Sequence, residues 1–242
     1  MDPIQPLVST ELRDNWQGFL DINGLAGHSA TLDHVMVFGA NDLIFALPLV
    51  LLLVWFVLAR WSPFSRWLAK RLGASEAERE RWLGQRALLS AVVGVGLALC
   101  LNILLGALIF EPRPFISHPS LAHKLIAHAA DASFPSDHEA VAMSIALTLV
   151  FYVIWLLGRF SRERAGARLG RVAPALLGAL LAVAMAVLIG FARVYVGVHY
   201  PIDIVGGAVC AAVGVALAFG LLPLTGRIFQ PVVRLAAAAG LA

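Results

Sequence analysis

Five stretches of this chain, each long, apolar and almost free of charge, decide most of what it can fold into. They run from about Leu43 to Ala59, Ala87 to Phe110, Ala140 to Leu157, Val172 to Phe191 and Ile202 to Leu224. A helix crossing the hydrocarbon of a bilayer needs about 20 such residues. In lipid the backbone must satisfy its own polar groups, so runs of this kind are helices. The first is the shortest and contains Pro48, which neighbouring helices can accommodate. The composition agrees: 60% of the 242 residues are hydrophobic and the mean hydropathy is +0.84, against about half apolar in a soluble domain. The expected fold class is all-α, a polytopic membrane helical bundle of about five transmembrane helices plus an N-terminal interfacial helix. It reads as one membrane domain over residues 1–242, with an outer segment at 1–40, a transmembrane core at 41–224 and a tail at 225–242.

The net charge of +3 is unevenly spread. Arg60, Arg66, Lys70, Arg71, Arg79, Arg81 and Arg86 fall between the first two spans, and Arg159, Arg162, Arg164, Arg168 and Arg171 between the third and fourth. Arg227 and Arg234 follow the fifth, while the opposite side holds only Arg13, Arg113, Lys124 and Arg193. Short basic loops stay in the cytoplasm. The expected topology is an outside N-terminus, a cytoplasmic C-terminus and polar motifs facing outward. The positive balance reports topology and contact with membrane lipids, not nucleic-acid binding. Cys100 and Cys210 both lie inside spans and read as small hydrophobes. No basic segment followed by an apolar core opens the chain, so the first span is expected to serve as the targeting signal.

Outside the spans, Thr10 reads as the cap of a helix carrying Leu12, Trp16, Phe19 and Leu20 on one face, lying in the interface. Asn15, Asn23 and Asp33 have the reach to meet the polar motifs but are read first as a solvated interfacial face, with a short segment from Leu32 to Phe38 leading into the first span. Ser75 to Arg81 alternates in charge and reads as a short exposed helix. Trp67, Trp82, Tyr195 and Tyr200 are read as headgroup anchors. Gly94, Gly96, Gly206 and Gly207 are read as points of close helix packing.

Three polar clusters stand at span ends: Glu111-Pro112-Arg113-Pro114-Phe115, Phe134-Pro135-Ser136-Asp137-His138 and Arg193 through His199 to Asp203. Polar groups so close to lipid are costly unless used or shielded. Pro135 to His138 marks the start of a helix, whose unpaired N–H groups and positive dipole end suit phosphate. Ser136 adds a hydroxyl donor, the backbone N–H of Asp137 stays available, and His138 can protonate a leaving oxygen. Arg113, stiffened by two prolines, and Arg193 can grip phosphate oxygens with planar forks. Pro201 suits the first turn of the fifth span and puts Asp203 one turn from His199. A carboxylate on one imidazole nitrogen frees the other to attack phosphorus. Attack by His199 followed by attack by water needs no metal.

These residues resemble the type 2 phosphatidic acid phosphatase superfamily. Its third motif, Ser-Arg, five residues, His, three residues, Asp, is met by Arg193, His199 and Asp203, with Ala192 in place of the serine. Its second, Pro-Ser-Gly-His, appears as Pro135-Ser136-Asp137-His138, and its first survives only as Arg113-Pro114, with Gly106 at the lysine position. The resemblance covers about Gly106 to Gly207. It implies His199 as nucleophile, His138 as general acid and Asp203 as the partner of His199. Arg113, Ser136, Asp137 and Arg193 would hold phosphate, with no cofactor. Arg-Pro-Phe, Phe-Pro-Ser-Asp-His and Ala-Arg-Val-Tyr-Val-Gly-Val-His look like the bacterial undecaprenyl-diphosphate phosphatase branch, which acts at the outer face of the cytoplasmic membrane on a polyprenyl diphosphate lipid.

Lys124, or the histidine-rich loop around it, is a candidate contact for a second phosphate, and Asn102 a candidate pocket residue. His118, His123 and His128 recur every five residues, a spacing poorly suited to a metal, and read as a wet loop. Asp131 and Ser133 read as ordering the loop before the second motif, and Glu139 as an acidic residue in a helix's first turn. Other readings remain open: a broader lipid phosphatase acting on phosphatidylglycerophosphate, phosphatidate or a lipid A phosphate, a lipid phosphotransferase, or a transporter or assembly subunit.

Overall fold

A computed structural model describes residues 13–58, 74–162 and 165–239. Among these the chain is helical, with α1 at Arg13–Asn23, α2 at Ala30–Asn41, a 3-10 turn at Leu43–Ala46 and α3 at Leu47–Leu58. There follow α4 at Ala74–Leu108, the one-turn α5 at Pro114–Ser117, α6 at Asp137–Arg159, α7 at Ala165–Tyr195, α8 at Pro201–Gly220 and α9 at Leu222–Ala238.

Among the described residues four segments are long and apolar enough to cross a membrane: Gly84–Leu108, Asp137–Arg159, Val172–Tyr195 and Pro201–Gly220. A fifth exists if α2 and α3, bent by 56° at their junction, are one broken span. The expected first span therefore lacks a straight form. Residues 30–41 are a full helix rather than a short lead-in. It ends where Asp42 caps Phe38 O, and the chain tightens into the 3-10 turn before α3. Ser75 to Arg81 is likewise not a separate exposed helix but the first turns of α4. Helix α8 stops at Gly220, short of the expected Leu224, and the chain continues as α9. Thr10, Leu12, Trp67 and the Trp82 side chain lie outside the described residues.

α4, α6, α7 and α8 form the bundle around a core rich in alanine and branched residues, including Ala142, Ala146, Leu149, Ala182, Ala186 and Ile189. Small residues let the backbones approach. A Cβ at Gly214 would sit 2.6 Å from Gly94 O, and one at Gly207 would sit 2.5 Å from Ser136 O. Gly96 is different, with nothing within 4 Å, so close packing does not explain it. Large apolar side chains point outward: Phe45 is 74%, Ile103 71% and Leu177 70% exposed. On a soluble protein such a belt would be an aggregation site, whereas lipid solvates it.

α1 and the loops close one end of the bundle. Asn23 is buried; its Nδ2 donates to Tyr195 O at 2.8 Å and His123 O at 2.9 Å, and its Oδ1 accepts from His123 N. Asn15 Oδ1 accepts from Ile202 N at 3.0 Å, and Asp33 accepts from the Tyr195 hydroxyl at 2.7 Å. The expected solvated face is thus a set of struts. Tyr195 and Tyr200 are fully buried rather than headgroup anchors, and Tyr200 packs on Phe19 with ring centroids 5.5 Å apart.

Candidate active site

The three polar clusters meet at this capped end. α8 begins as its sequence suggests, with Pro201 in the first turn and Tyr200 in extended conformation before it. Asp203 reaches back one turn, and its Oδ2 accepts from Tyr200 N at 2.8 Å. The same oxygen accepts from the Ser133 hydroxyl and from His199 Nδ1, at 3.2 Å from the latter. Two donors besides the imidazole therefore fix the carboxylate. The expected pairing of His199 with Asp203 is present, and Ser133 does more than order its loop.

The other face of His199 meets both arginines. Arg113 Nη1 lies 3.2 Å and Arg193 Nη2 3.4 Å from His199 Nε2. A guanidinium only donates, so Nε2 carries the lone pair and the proton sits on Nδ1 toward Asp203. Burial, followed by the charges of Arg193 and Arg113, drives the His199 pKa well below its ordinary value, which keeps the ring neutral.

Arg113 is 5% exposed and Arg193 2%. The Nε of Arg113 bonds Asp131 Oδ1 at 2.8 Å, and its Nη groups donate to Val198 O at 2.8 Å and Ala132 O at 3.1 Å. A bridge between Pro112 and Ala132 and a bond from Ser133 N to Glu111 O tie the first motif to the loop before the second. Asp131 thus orders more than its own loop. Arg193 leaves the last turn of α7, where Nη1 faces Ala40 O at 3.4 Å and Nη2 donates to His128 Nε2 at 2.8 Å.

Ser136 caps α6, its Oγ accepting from Glu139 N, and its own N–H donates to Asp203 O at 3.0 Å, joining second motif to third. Asp137 is exposed at the start of α6, where Asn102 Nδ2 donates to it at 2.7 Å and to Pro135 O at 3.1 Å. Asn102, one helical turn before Gly106, therefore holds the start of the second motif rather than facing the pocket itself. His138 lies close enough to Arg193, His199, His128 and Arg113 to interact electrostatically. It also lines a groove of about 420 Å³ with Asp137, Ile44, Leu99, Ile103 and Val141, an apolar slot between the bent α2–α3 pair, α4 and α6.

Lys124 is exposed on the histidine-rich loop. Its Nζ lies 3.7 Å over the Phe115 ring and donates to His128 O at 3.2 Å. His128, grouped by its spacing with His118 and His123, is part-buried at the site, with its ring centroid 6.3 Å from that of His199. It does not belong to a wet loop. Its nearness to the second motif in sequence is the signal that sets it apart from His118 and His123.

A family model described as the PAP2 superfamily matches residues 87–227. Undecaprenyl-diphosphatase BcrC of Bacillus subtilis is 33% identical over 82% of this chain and 79% of its own length. The crystal structure of LpxE from Aquifex aeolicus has a TM-score of 0.52 at 21% identity, covering 85% of this chain and 94% of that one. A transmembrane PAP2-type phosphatidylglycerolphosphate phosphatase from Bacillus subtilis has the same score and identity, covering 89% and 88%.

Proposed function

Because the chain belongs to the PAP2 superfamily of membrane lipid phosphatases, we propose that it hydrolyses undecaprenyl diphosphate to undecaprenyl phosphate and orthophosphate at the outer face of the bacterial cytoplasmic membrane. The observation that carries this reading is the lone pair of His199 Nε2, on a ring oriented by Asp203 behind it and kept neutral by burial and the two buried guanidinium groups that flank it. The apolar groove ending at His138 supports a leaving group that carries a lipid tail. The similarity to BcrC supports a diphosphate as the head.

In the first step His199 Nε2 attacks the terminal phosphorus and the bond to the bridging oxygen breaks. His138, in its protonated form, gives its proton to that oxygen, and undecaprenyl phosphate leaves. Arg113, Arg193, the Ser136 hydroxyl and the backbone N–H groups at the start of α6 stabilise the charge on the transferring group. Asp203 balances the imidazolium as the phosphohistidine forms. In the second step water attacks the same phosphorus, His138 takes its proton, and the N–P bond breaks to return neutral His199 and orthophosphate. Covalent transfer through histidine supplies the nucleophile without a metal. The outward orientation rests on the arginine-rich loops at the opposite end of the spans.

The test is turnover by purified protein in detergent with excess EDTA, given undecaprenyl diphosphate, phosphatidylglycerophosphate and phosphatidate in parallel. The expected result is fastest release of phosphate from the diphosphate, unchanged by EDTA. His199→Ala should abolish turnover, with a loss of at least about 10³-fold. The wild type should trap a phosphoenzyme that survives alkali and is labile to acid. Equal rates on all three lipids would refute the substrate, and activity in His199→Ala would refute the mechanism.

A further inference from the structure

We infer that His128 is an additional phosphate ligand, neutral in the free enzyme and protonated when the phosphate is bound, supplying the cation that Gly106 leaves out of the first motif. The inference rests on the reading of the Arg113–Arg193–His199 cradle as the phosphate site. Its starting point is a conflict in hydrogen bonding. Arg193 Nη2, one of the two groups facing His199 Nε2, also donates to His128 Nε2 at 2.8 Å. Arginine has no acceptor, so His128 Nε2 carries a lone pair there, and its proton sits on Nδ1, 3.2 Å from Ala129 O.

A phosphoryl group arriving at His199 must take hydrogen bonds from that same arginine nitrogen. His128 Nε2 then faces an anion with a lone pair, which repels it. Taking up one proton turns the clash into a charge-assisted hydrogen bond. The surroundings are poised for such a change. Arg193 and Arg113 face the ring with positive charge, Asp131 lies 3.8 Å from its Nδ1, and the neighbouring imidazoles are His199 and His138. Lys124 touches only the backbone oxygen of His128. In the free enzyme burial and the Arg113 charge hold the His128 pKa below its ordinary value. A bound anion reverses the sign of the local field, so the two states differ in proton count. The lost lysine and the added Asp137 carboxylate leave this cradle short of positive charge, and a conditional cation restores it only when phosphate is present.

The experiment measures orthovanadate binding to the full-length protein in detergent by calorimetry from pH 5.5 to 9, as an order-of-magnitude window about neutrality. Buffers of different ionisation heat give the protons taken up. In the wild type, binding should take up close to one proton beyond the anion's own ionisation. Affinity should fall as pH rises through the window between the free and bound pKa values of His128, where the complex holds more protons than the free enzyme. His128→Gln should lose that uptake and bind about ten- to a hundredfold more weakly at the acidic end, with little difference at the alkaline end. His128→Lys should bind tightly across the range with no uptake. Unchanged uptake in a folded His128→Gln would overturn the inference. Thermal melting reports folding, and if His128→Gln does not fold, the His128→Lys curve decides by the same criterion. A wild type that binds no vanadate, or a His199→Ala protein that still turns over, would instead remove the phosphate cradle itself.

Discussion

At the scale of single residues, the site is a chain of constraints ending at one imidazole nitrogen. Ser133 and the backbone N–H of Tyr200 hold the Asp203 oxygen that orients His199. Ser133→Ala removes one of these and should lower kcat about tenfold with little change in KM, as read from steady-state kinetics. Glu111 is a different case. Its carboxyl is buried without a hydrogen-bond partner, and burial, aided by the Asp203 charge, pushes its pKa from an ordinary 4.5 up to about 8. The folded state therefore binds more protons than the unfolded one between those values, and stability falls as pH rises through that window. Glu111→Gln should flatten the decline, so that its melting temperature exceeds the wild type's most at pH 8 and above. The arginines, Ser136, His138, His199 and Asp203 were legible in the sequence because charge beside an apolar span demands a purpose. Ser133 and His128 were noticed as loop residues, but their contacts were not legible, because the partners are Asp203, 70 residues away, and Arg193, 65 residues away.

At the scale of elements, the helix starts carry the site and the small residues permit it. The beginnings of α6 and α8 were readable from the polar Pro135–His138 stretch at a span edge and from a proline in the first turn, while the capping by Ser136 came from the structure. The function of α1 was not readable, since the partner of Asn15 is a backbone N–H 187 residues away. Gly207 sets the contact between the two helix starts. Gly207→Ala would put a methyl group 2.5 Å from Ser136 O and 3.0 Å from Glu139 Cβ. Moving α6 to make room should cost about 1–3 kcal/mol of stability and displace Ser136 from the phosphate, lowering activity as well. Gly96→Ala, with open space around it, should be neutral or stabilising by up to about 1 kcal/mol. Thermal melts of both variants in one detergent, paired with activity, check this contrast. Gly197, at φ +82° with His123 O 2.5 Å from where a Cβ would stand, is where the chain turns from α7 into the His199 loop.

At the scale of the whole molecule, apolar run length was enough to read a membrane bundle. It was not enough to read the 56° bend between α2 and α3, because the polar pair Asn41 and Asp42 set the start of the expected span at Leu43 and left α2 outside it. That bend places Ile44 on one wall of the slot leading to His138, opposite Leu99 and Ile103. A slot framed by spans is entered sideways, by a molecule already dissolved in the bilayer. The enzyme then responds to how crowded its substrate is within the lipid plane, not to how much is present per litre. Diluting the substrate with inert lipid at constant bulk concentration should slow turnover in proportion to its mole fraction, measured in vesicles of graded composition. A cell could accordingly throttle this reaction by remodelling its membrane, with no effector ever touching the protein.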